Sequence, residues 1–388
     1  MPHSLEQFCL AHEAWLHEVI DALVSIESPT DDKAAVDRCG TEFRARASAA
    51  GLRVRIEPRP DAGDHTVAEI GEGGPRILLV GHVDTVWPHG QIARMPLERR
   101  DGKLWGPGTL DMKVGVAMGL LATRAVFETL RPGAGRVAML VTSDEETGSN
   151  TSRALIEVEA LASDAVLVLE PALAGGLLKT SRKGIGQYHL AVTGVSAHAG
   201  VDPRKGVSAI RELARQILAL EALHDLDRGV SVNVGVVGGG TRPNVVAEEA
   251  HAVVDVRAPS LDAAARVDAA FRALRPILPG ARLAITGGFE RPPMERSAGV
   301  AALYAHAQAA AASLGQTVQE GGTGGGSDGN FTAALGVPTL DGLGAVGDGA
   351  HALHEHVELM PLIPRTALLA ALIARLLSPE GVLPARPR

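Results

Sequence analysis

Cysteine is nearly missing, basic charge is not in excess, and no long apolar run occurs. The 388 residues hold two cysteines, Cys9 and Cys39, and neither stands in a Cys-x-x-Cys or comparable ligand spacing. They read as ordinary free thiols, which excludes a disulfide scaffold and a thiolate zinc site. The formal net charge of -8 excludes a protein that grips nucleic acid or anionic membrane through broad counterion release. No stretch approaches the roughly 18 apolar residues of a membrane span. Glu6, Glu13, Glu18 and Asp21 stand where a signal-peptide core would need apolar residues. A cytoplasmic protein with no nucleic-acid or membrane partner is expected.

What is present is a globular composition, 46% hydrophobic and 21% charged. Single cores stop growing at roughly 250 to 300 residues, so this length predicts two domains. Leu5 to Leu23 carries apolar residues at helical spacing and predicts one amphipathic helix. A second helix is predicted from Asp32 to Ala50, ending at Gly51. Three short apolar runs, Ile77 to Val80, Val137 to Val141 and Ala165 to Leu169, read as fully buried strands. They alternate with helical stretches such as Val114 to Leu130, which predicts an α/β sheet.

From about Gly184 the pattern changes. Strand (Gln187 to Val192), helix (Val207 to Leu220), strands (Val230 to Val237, Val245 to Arg257), helix (Leu261 to Leu274) and strand (Arg282 to Thr286) follow in turn. That β-α-β-β-α-β order is ferredoxin-like. Gly287 to Pro293 reads as the return crossing, followed by a helix over Ala298 to Leu314, a strand ending near Leu340 and a last helix from Arg365 to Leu377. The second domain is therefore expected as an insertion, with boundaries 1–181, 182–290 and 291–388. The tail from Pro384 to Arg388 is expected to fray.

Chemistry-bearing residues follow each buried strand: Gly81-His82-Val83-Asp84, Thr142-Ser143-Asp144-Glu145-Glu146 and Glu170-Pro171. Carboxyl ends of parallel strands form the ligand crevice of open α/β sheets, so these distant residues can converge. Zinc takes imidazole and carboxylate ligands, and two cations roughly 3.5 Å apart need a carboxylate between them. The candidate set is His82, Asp111, Glu146, Glu170 and His351. Three carboxylates against two dications leave one positive unit, which favours forming a nucleophile from water at neutral pH. Taken singly, each has a plainer reading: a hydrogen-bonded histidine, a solvated Glu145-Glu146 loop, a solvated histidine-rich loop around His351. The ordered combination favours the metal site.

The order Gly81-His82-Val83-Asp84-Thr85-Val86, Gly106-Pro107-Gly108-Thr109-Leu110-Asp111-Met112-Lys113 and Ser143-Asp144-Glu145-Glu146-Thr147-Gly148 resembles the M20 family of metallopeptidases, in its glutamate carboxypeptidase branch. The resemblance runs from His82 to the final helix. It implies an α/β zinc-peptidase-like catalytic domain with a mixed sheet, plus the inserted ferredoxin-like α+β domain as a lid and dimerisation unit. It further implies two Zn²⁺ per subunit, with Co²⁺ or Mn²⁺ as alternatives. His82, Asp111 and Glu170 would hold one ion, and Asp111, Glu146 and His351 the other. Asp84 would orient His82, a cis peptide bond would follow Asp111, and Glu145 would be the base.

In Ser196-Ala197-His198-Ala199-Gly200, the resemblance implies that His198 reaches an active site across a homodimer and stabilises an oxyanion. Arg291 and Asn244 match positions that hold a substrate carboxylate. Gly321 to Asp328 lacks the Gly-Lys-Ser/Thr ending of a phosphate loop. It resembles the family's glycine segment near the substrate, with Gly325 and Gly326 offering backbone N–H groups. The implied reaction is hydrolysis of an amide bond beside a free carboxylate, on a small N-acyl amino acid or peptide. An N-acyl amino acid deacylase of the same family, acetylornithine-deacetylase-like, and a binding protein without catalysis are the alternatives.

Overall fold

The computed structural model describes residues 2–384. Residues 385–388 of the tail expected to fray lie outside the described residues. The chain divides into two compact units. One comprises the chain through Thr180, Arg296–Gly322 and the chain from Ser327; the other comprises Ser181–Glu295 with Thr323–Gly326.

The first unit is built on a mixed six-stranded sheet in the order Arg53–Glu57, His65–Glu72, Gly135–Thr142, Arg76–His82, Ala165–Val168 and Thr339–Leu340. The last four run parallel, and the first two add antiparallel at one edge. Side chains alternate across a strand, and here the alternation separates two cores. Ile77, Leu79, Val137, Met139, Ala165 and Leu167 face the core shared with helices Val114–Thr129 and Leu362–Leu376. Leu78, Val80, Ala138, Leu140, Val166 and Val168 face a smaller core with Ile156, Ala160 and Phe331. Burial on both faces explains why these strands read as continuous apolar runs.

The expected single helix over Leu5 to Leu23 is two, Pro2–Ala11 and Glu13–Val24. His12 breaks it: its Nδ1 lies 2.8 Å from the Phe8 carbonyl oxygen and its ring stacks on Phe8, with φ at -110° and ψ at 18°. The next helix, Lys33–Ala49, begins where the Asp32 carboxylate accepts from Ala35 N–H and stops before Gly51, whose φ of +87° suits glycine. The last helix starts at Leu362, earlier than expected, because Pro364 is tolerated in a first turn that needs no donor there.

The second unit holds an antiparallel sheet in the order Ser231–Gly239, Glu249–Ala258, Gly184–Thr193 and Arg282–Arg291. Helices Ala209–Glu221 and Leu261–Ala273 bury Leu213, Leu220, Val267 and Phe271 against Tyr188, Leu190, Val254 and Val256. The ferredoxin-like reading holds, with two corrections. The strand expected from Val245 begins at Glu249. The strand expected to end at Thr286 continues to Arg291, so Gly287 to Arg291 is not a crossing. Gly287 has φ at +89°, and a Cβ there would lie 2.1 Å from the Gln187 carbonyl oxygen, so glycine permits close backbone approach within the sheet. Among the described residues no helix is long and apolar enough to cross a membrane.

Candidate metal centre and substrate-handling residues

Register places the chemistry. His82 pairs with Thr142 and Val80 with Val168, so three parallel strands end on one line and their next residues share a crevice. His82 closes its strand, Glu145 and Glu146 lie in the short turn Glu145–Thr147, and Glu170 follows the third strand. Asp111 comes from the irregular turn Thr109–Lys113, and the Asp111–Met112 peptide is cis, as the resemblance implied.

These groups meet. His82 Nε2 lies 3.2 Å from Asp111 Oδ1 and 3.7 Å from Glu170 Oε1. His351 Nε2 lies 3.3 Å from Asp111 Oδ2 and 3.1 Å from Glu146 Oε2. Asp111 thus turns one oxygen to each imidazole. Single ligand atoms of His82, Asp111 and Glu146 lie within 4.8 Å of one another. His351 sits at φ of +61°, a left-handed conformation uncommon for a residue with a side chain. Such outliers cluster at functional sites.

Asp84 is fully buried under the cluster. Its carboxylate lies 3.3 Å from His82 Nδ1 and accepts from the Thr30 hydroxyl at 2.8 Å, Glu146 N–H at 3.1 Å and Glu145 N–H at 3.4 Å. Below the same turn, Asp144 Oδ2 accepts from the Thr151 N–H and hydroxyl, and the Ser143 hydroxyl meets His65 Nδ1 at 2.9 Å.

The electrostatics are those of an acid-rich pocket. Burial disfavours charge on His82, but hydrogen bonds to Asp111, Asp84 and Glu170 outweigh it and hold its pKa well above the usual range. Hydrogen bonds to Asp111 and Glu146 push His351 up to about 10. For Asp111 burial is outweighed by His351 and His82, and its pKa is lowered. Burial raises Glu146 despite the bond to His351. Each imidazole thus faces more than one carboxylate, His82 meeting Asp111 and Glu170 and His351 meeting Asp111 and Glu146. A divalent cation fits the same donor set: Glu146 Oε1 is buried with no hydrogen-bond partner, and imidazole with carboxylate is a zinc-type combination.

The remaining predicted residues lie in the second unit. His198 is exposed, and its Nδ1 accepts from Gly200 and Val201 N–H at 3.1 Å each, which leaves the proton on Nε2. Exposed Asn244 sits beside it, its carbonyl accepting from Ala199 N–H at 2.9 Å. Arg291 is buried at the end of its strand. Gly326 leaves room for it, since a Cβ there would come within 3.0 Å of Arg291 Cδ. The carbonyls of Gly325 and Gly326 accept from the buried Arg182 guanidinium at 3.2 and 2.9 Å. Arg182 was not singled out from the sequence, where a lone arginine at a strand end carries no motif. Glu355, in the loop after His351, was missed for the same reason.

Acids and imidazoles gathered this tightly at the mouth of a parallel sheet define a metal-dependent hydrolase. Residues 78–375 match peptidase family M20/M25/M40. The chain is 31% identical to carboxypeptidase G2 from Pseudomonas sp. (strain RS-16), an alignment covering 91% of this chain and 87% of that protein. It is 30% identical to succinyl-diaminopimelate desuccinylase from Rhodospirillum centenum, over 82% of this chain and 86% of that one. Among solved structures, aminopeptidase PepT from Bacillus cereus aligns with TM-score 0.76 and 23% identity, over 92% of this chain and 97% of that one. A dinuclear metal-binding M20 peptidase from Bacillus subtilis aligns with TM-score 0.68 and 15% identity, over 95% and 99%. The chain therefore belongs to peptidase family M20/M25/M40 and is an enzyme of its metallopeptidase and amidohydrolase class.

Proposed function

We propose that this enzyme is a dinuclear zinc hydrolase that cleaves an amide bond beside a free carboxylate, releasing glutamate or a similar amino acid from a small N-acyl or peptide conjugate. The meeting of His82, Asp111, Glu146, Glu170 and His351 carries the reading. His82, Asp111 and Glu170 would hold one cation, and Asp111, Glu146 and His351 the other. Cations bound there polarise the scissile carbonyl and lower the pKa of water. Glu145, fixed through its backbone N–H to Asp84, takes the proton of the attacking water and passes it to the leaving nitrogen. His198, reaching across the homodimer, would offer its Nε2–H to the developing oxyanion. Arg291 and Asn244 take the substrate's carboxylate, the guanidinium through a two-pronged hydrogen bond. The unit Ser181–Glu295 serves as lid and homodimer contact, and the enzyme works in the cytoplasm.

The likeness to a desuccinylase favours a second reading, an N-acyl amino acid deacylase with the same chemistry and another pocket. A hydrolysis panel of N-acyl-glutamate, N-acyl-aspartate, N-acetyl-ornithine and a folate, run with and without chelator, separates the two. The carboxypeptidase reading expects N-acyl-glutamate or the folate to lead, with all activity lost to chelation. Glu145→Gln is expected to keep its metal and lose on the order of 10² to 10⁴ in kcat. Equal or faster hydrolysis of N-acetyl-ornithine, whose side chain carries an amine in place of the second carboxylate of glutamate, overturns the branch, and activity without metal overturns the mechanism.

A further inference from the structure

We propose that Glu355 is the positioning residue that sets the direction of Asp111 and locks the Asp111 turn to the loop bearing His351; the inference rests on the metal-centre reading above. Glu355 is 1% exposed. Its Oε1 accepts from Leu110 N–H at 2.9 Å and Asp111 N–H at 3.1 Å. Its Oε2 accepts from Gly108 N–H at 2.9 Å and Trp87 Nε1–H at 2.7 Å. All four neighbours are donors. Two carboxylate oxygens have about four acceptor sites, and here each is used. Neither a carboxylic acid nor an amide satisfies this ring, because either sets a donor against a donor.

Three of the four donors are backbone groups of the turn that presents Asp111, so the carboxylate fills a nest of N–H groups and fixes their peptide planes. Glu355 also belongs to the loop that carries His351. Its own N–H donates to Ala352 O at 2.9 Å, Ala352 N–H donates to Gly349 O at 2.8 Å, and Gly106 N–H donates back to Glu355 O at 3.4 Å. One buried anion therefore ties together the two segments whose side chains meet 3.3 Å apart, Asp111 and His351. Asp111 contacts both imidazoles, so a turn free to rotate would loosen both halves of the cluster.

The test uses the full chain stripped of metal, titrated with Co²⁺ well below its melting temperature, with visible absorption as readout. Wild type is expected to take two ions per chain. Glu355→Gln, folded by circular dichroism, is expected to bind them about 10- to 100-fold more weakly, with altered cobalt bands and a lowered kcat at nearly unchanged KM. Adding Trp87→Phe removes one of the two donors facing the new amide, so the double variant is expected to recover part of the loss. A merely structural brace would lower the melting temperature and leave cobalt affinity and spectrum as in wild type, and that result overturns the inference. If Glu355→Gln does not fold, Trp87→Phe alone is expected to weaken cobalt binding a few-fold, and an unchanged titration overturns the inference equally. A wild-type chain that takes up no cobalt instead sinks the metal-centre reading, and this inference with it.

Discussion

Gly115→Ala sets helix propensity against packing. Gly115 is the second residue of helix Val114–Thr129, where alanine is favoured over glycine by up to about 1 kcal/mol. Yet a Cβ at Gly115 would stand 2.1 Å from the Leu169 carbonyl oxygen, and one at Gly344 would stand 2.1 Å from the same atom. An ordinary C···O contact is about 3.3 Å, so the carbonyl must retreat by roughly 1 Å. It has little freedom: Leu169 N–H is bonded to Val80 O at 2.9 Å and Gly344 N–H to Glu170 O at 2.9 Å. The shift therefore passes to Glu170, the next residue, beside His82. Overpacking of this kind costs about 1 to 3 kcal/mol, which outweighs the propensity gain and lowers the melting temperature by roughly 2 to 5 °C. A 1 Å displacement near reacting groups costs up to about 10²-fold in rate. Thermal unfolding, metal content and hydrolysis of the preferred N-acyl substrate are the measurements. Gly119→Ala, one turn on, meets the Leu169 side chain end at 2.7 Å and is expected to be milder. Gly133→Ala meets nothing within 4 Å and is expected to be neutral. A Gly115→Ala enzyme as stable as wild type with full metal content refutes the reasoning.

Two further outcomes are expected. Glu212 is buried, and its carboxylate accepts from Gln216, Ile277 N–H and Leu278 N–H at 2.6, 2.9 and 2.7 Å. Burial alone would raise its pKa, but these bonds outweigh it and the value is lowered. Its stabilisation is therefore complete above the unfolded value near pH 4.3 and lost as pH falls through the folded one. Glu212→Ala is expected to lower stability by about 1 to 3 kcal/mol at pH 7, with the gap to wild type closing in acid; a gap that persists unchanged at pH 3 contradicts this. Burial, with Glu6 adding, pushes the Cys9 thiol up to about 12, and burial raises Cys39 as well. Neither is expected to react with an alkylating reagent at pH 8 until the chain is unfolded in guanidinium, and mass spectrometry showing labelled native protein would count against the packing around them.

The three parallel strands were legible because burial on both faces leaves unbroken apolar runs, and the acids and imidazoles directly abut those runs. His82, Glu146 and Glu170 could be gathered from sequence for that reason, whereas Asp111 and His351 abut none of these strands and were legible through the motif order. The rest depended on contacts that leave no local trace. Gly287 reads as a breaker unless the neighbouring Gln187 carbonyl is known to press against it. His12 looks like one more residue of an amphipathic helix, and only its bond to Phe8 shows why the helix breaks there. Glu355 hides in a histidine-rich loop because its partners are mostly backbone groups, which have no residue type to recognise.

Asp84 joins two tasks that a reaction scheme treats as separate. Its backbone carbonyl meets His82 Nδ1 at 3.0 Å and its carboxylate lies 3.3 Å from the same atom, while that carboxylate also receives the N–H groups of Glu145 and Glu146. Under the proposed mechanism, cation affinity and the placement of Glu145 as proton carrier would therefore not be independent variables. Any replacement at that position moves both together, and selection for a different metal at this spot would drag the pH–rate profile along with it.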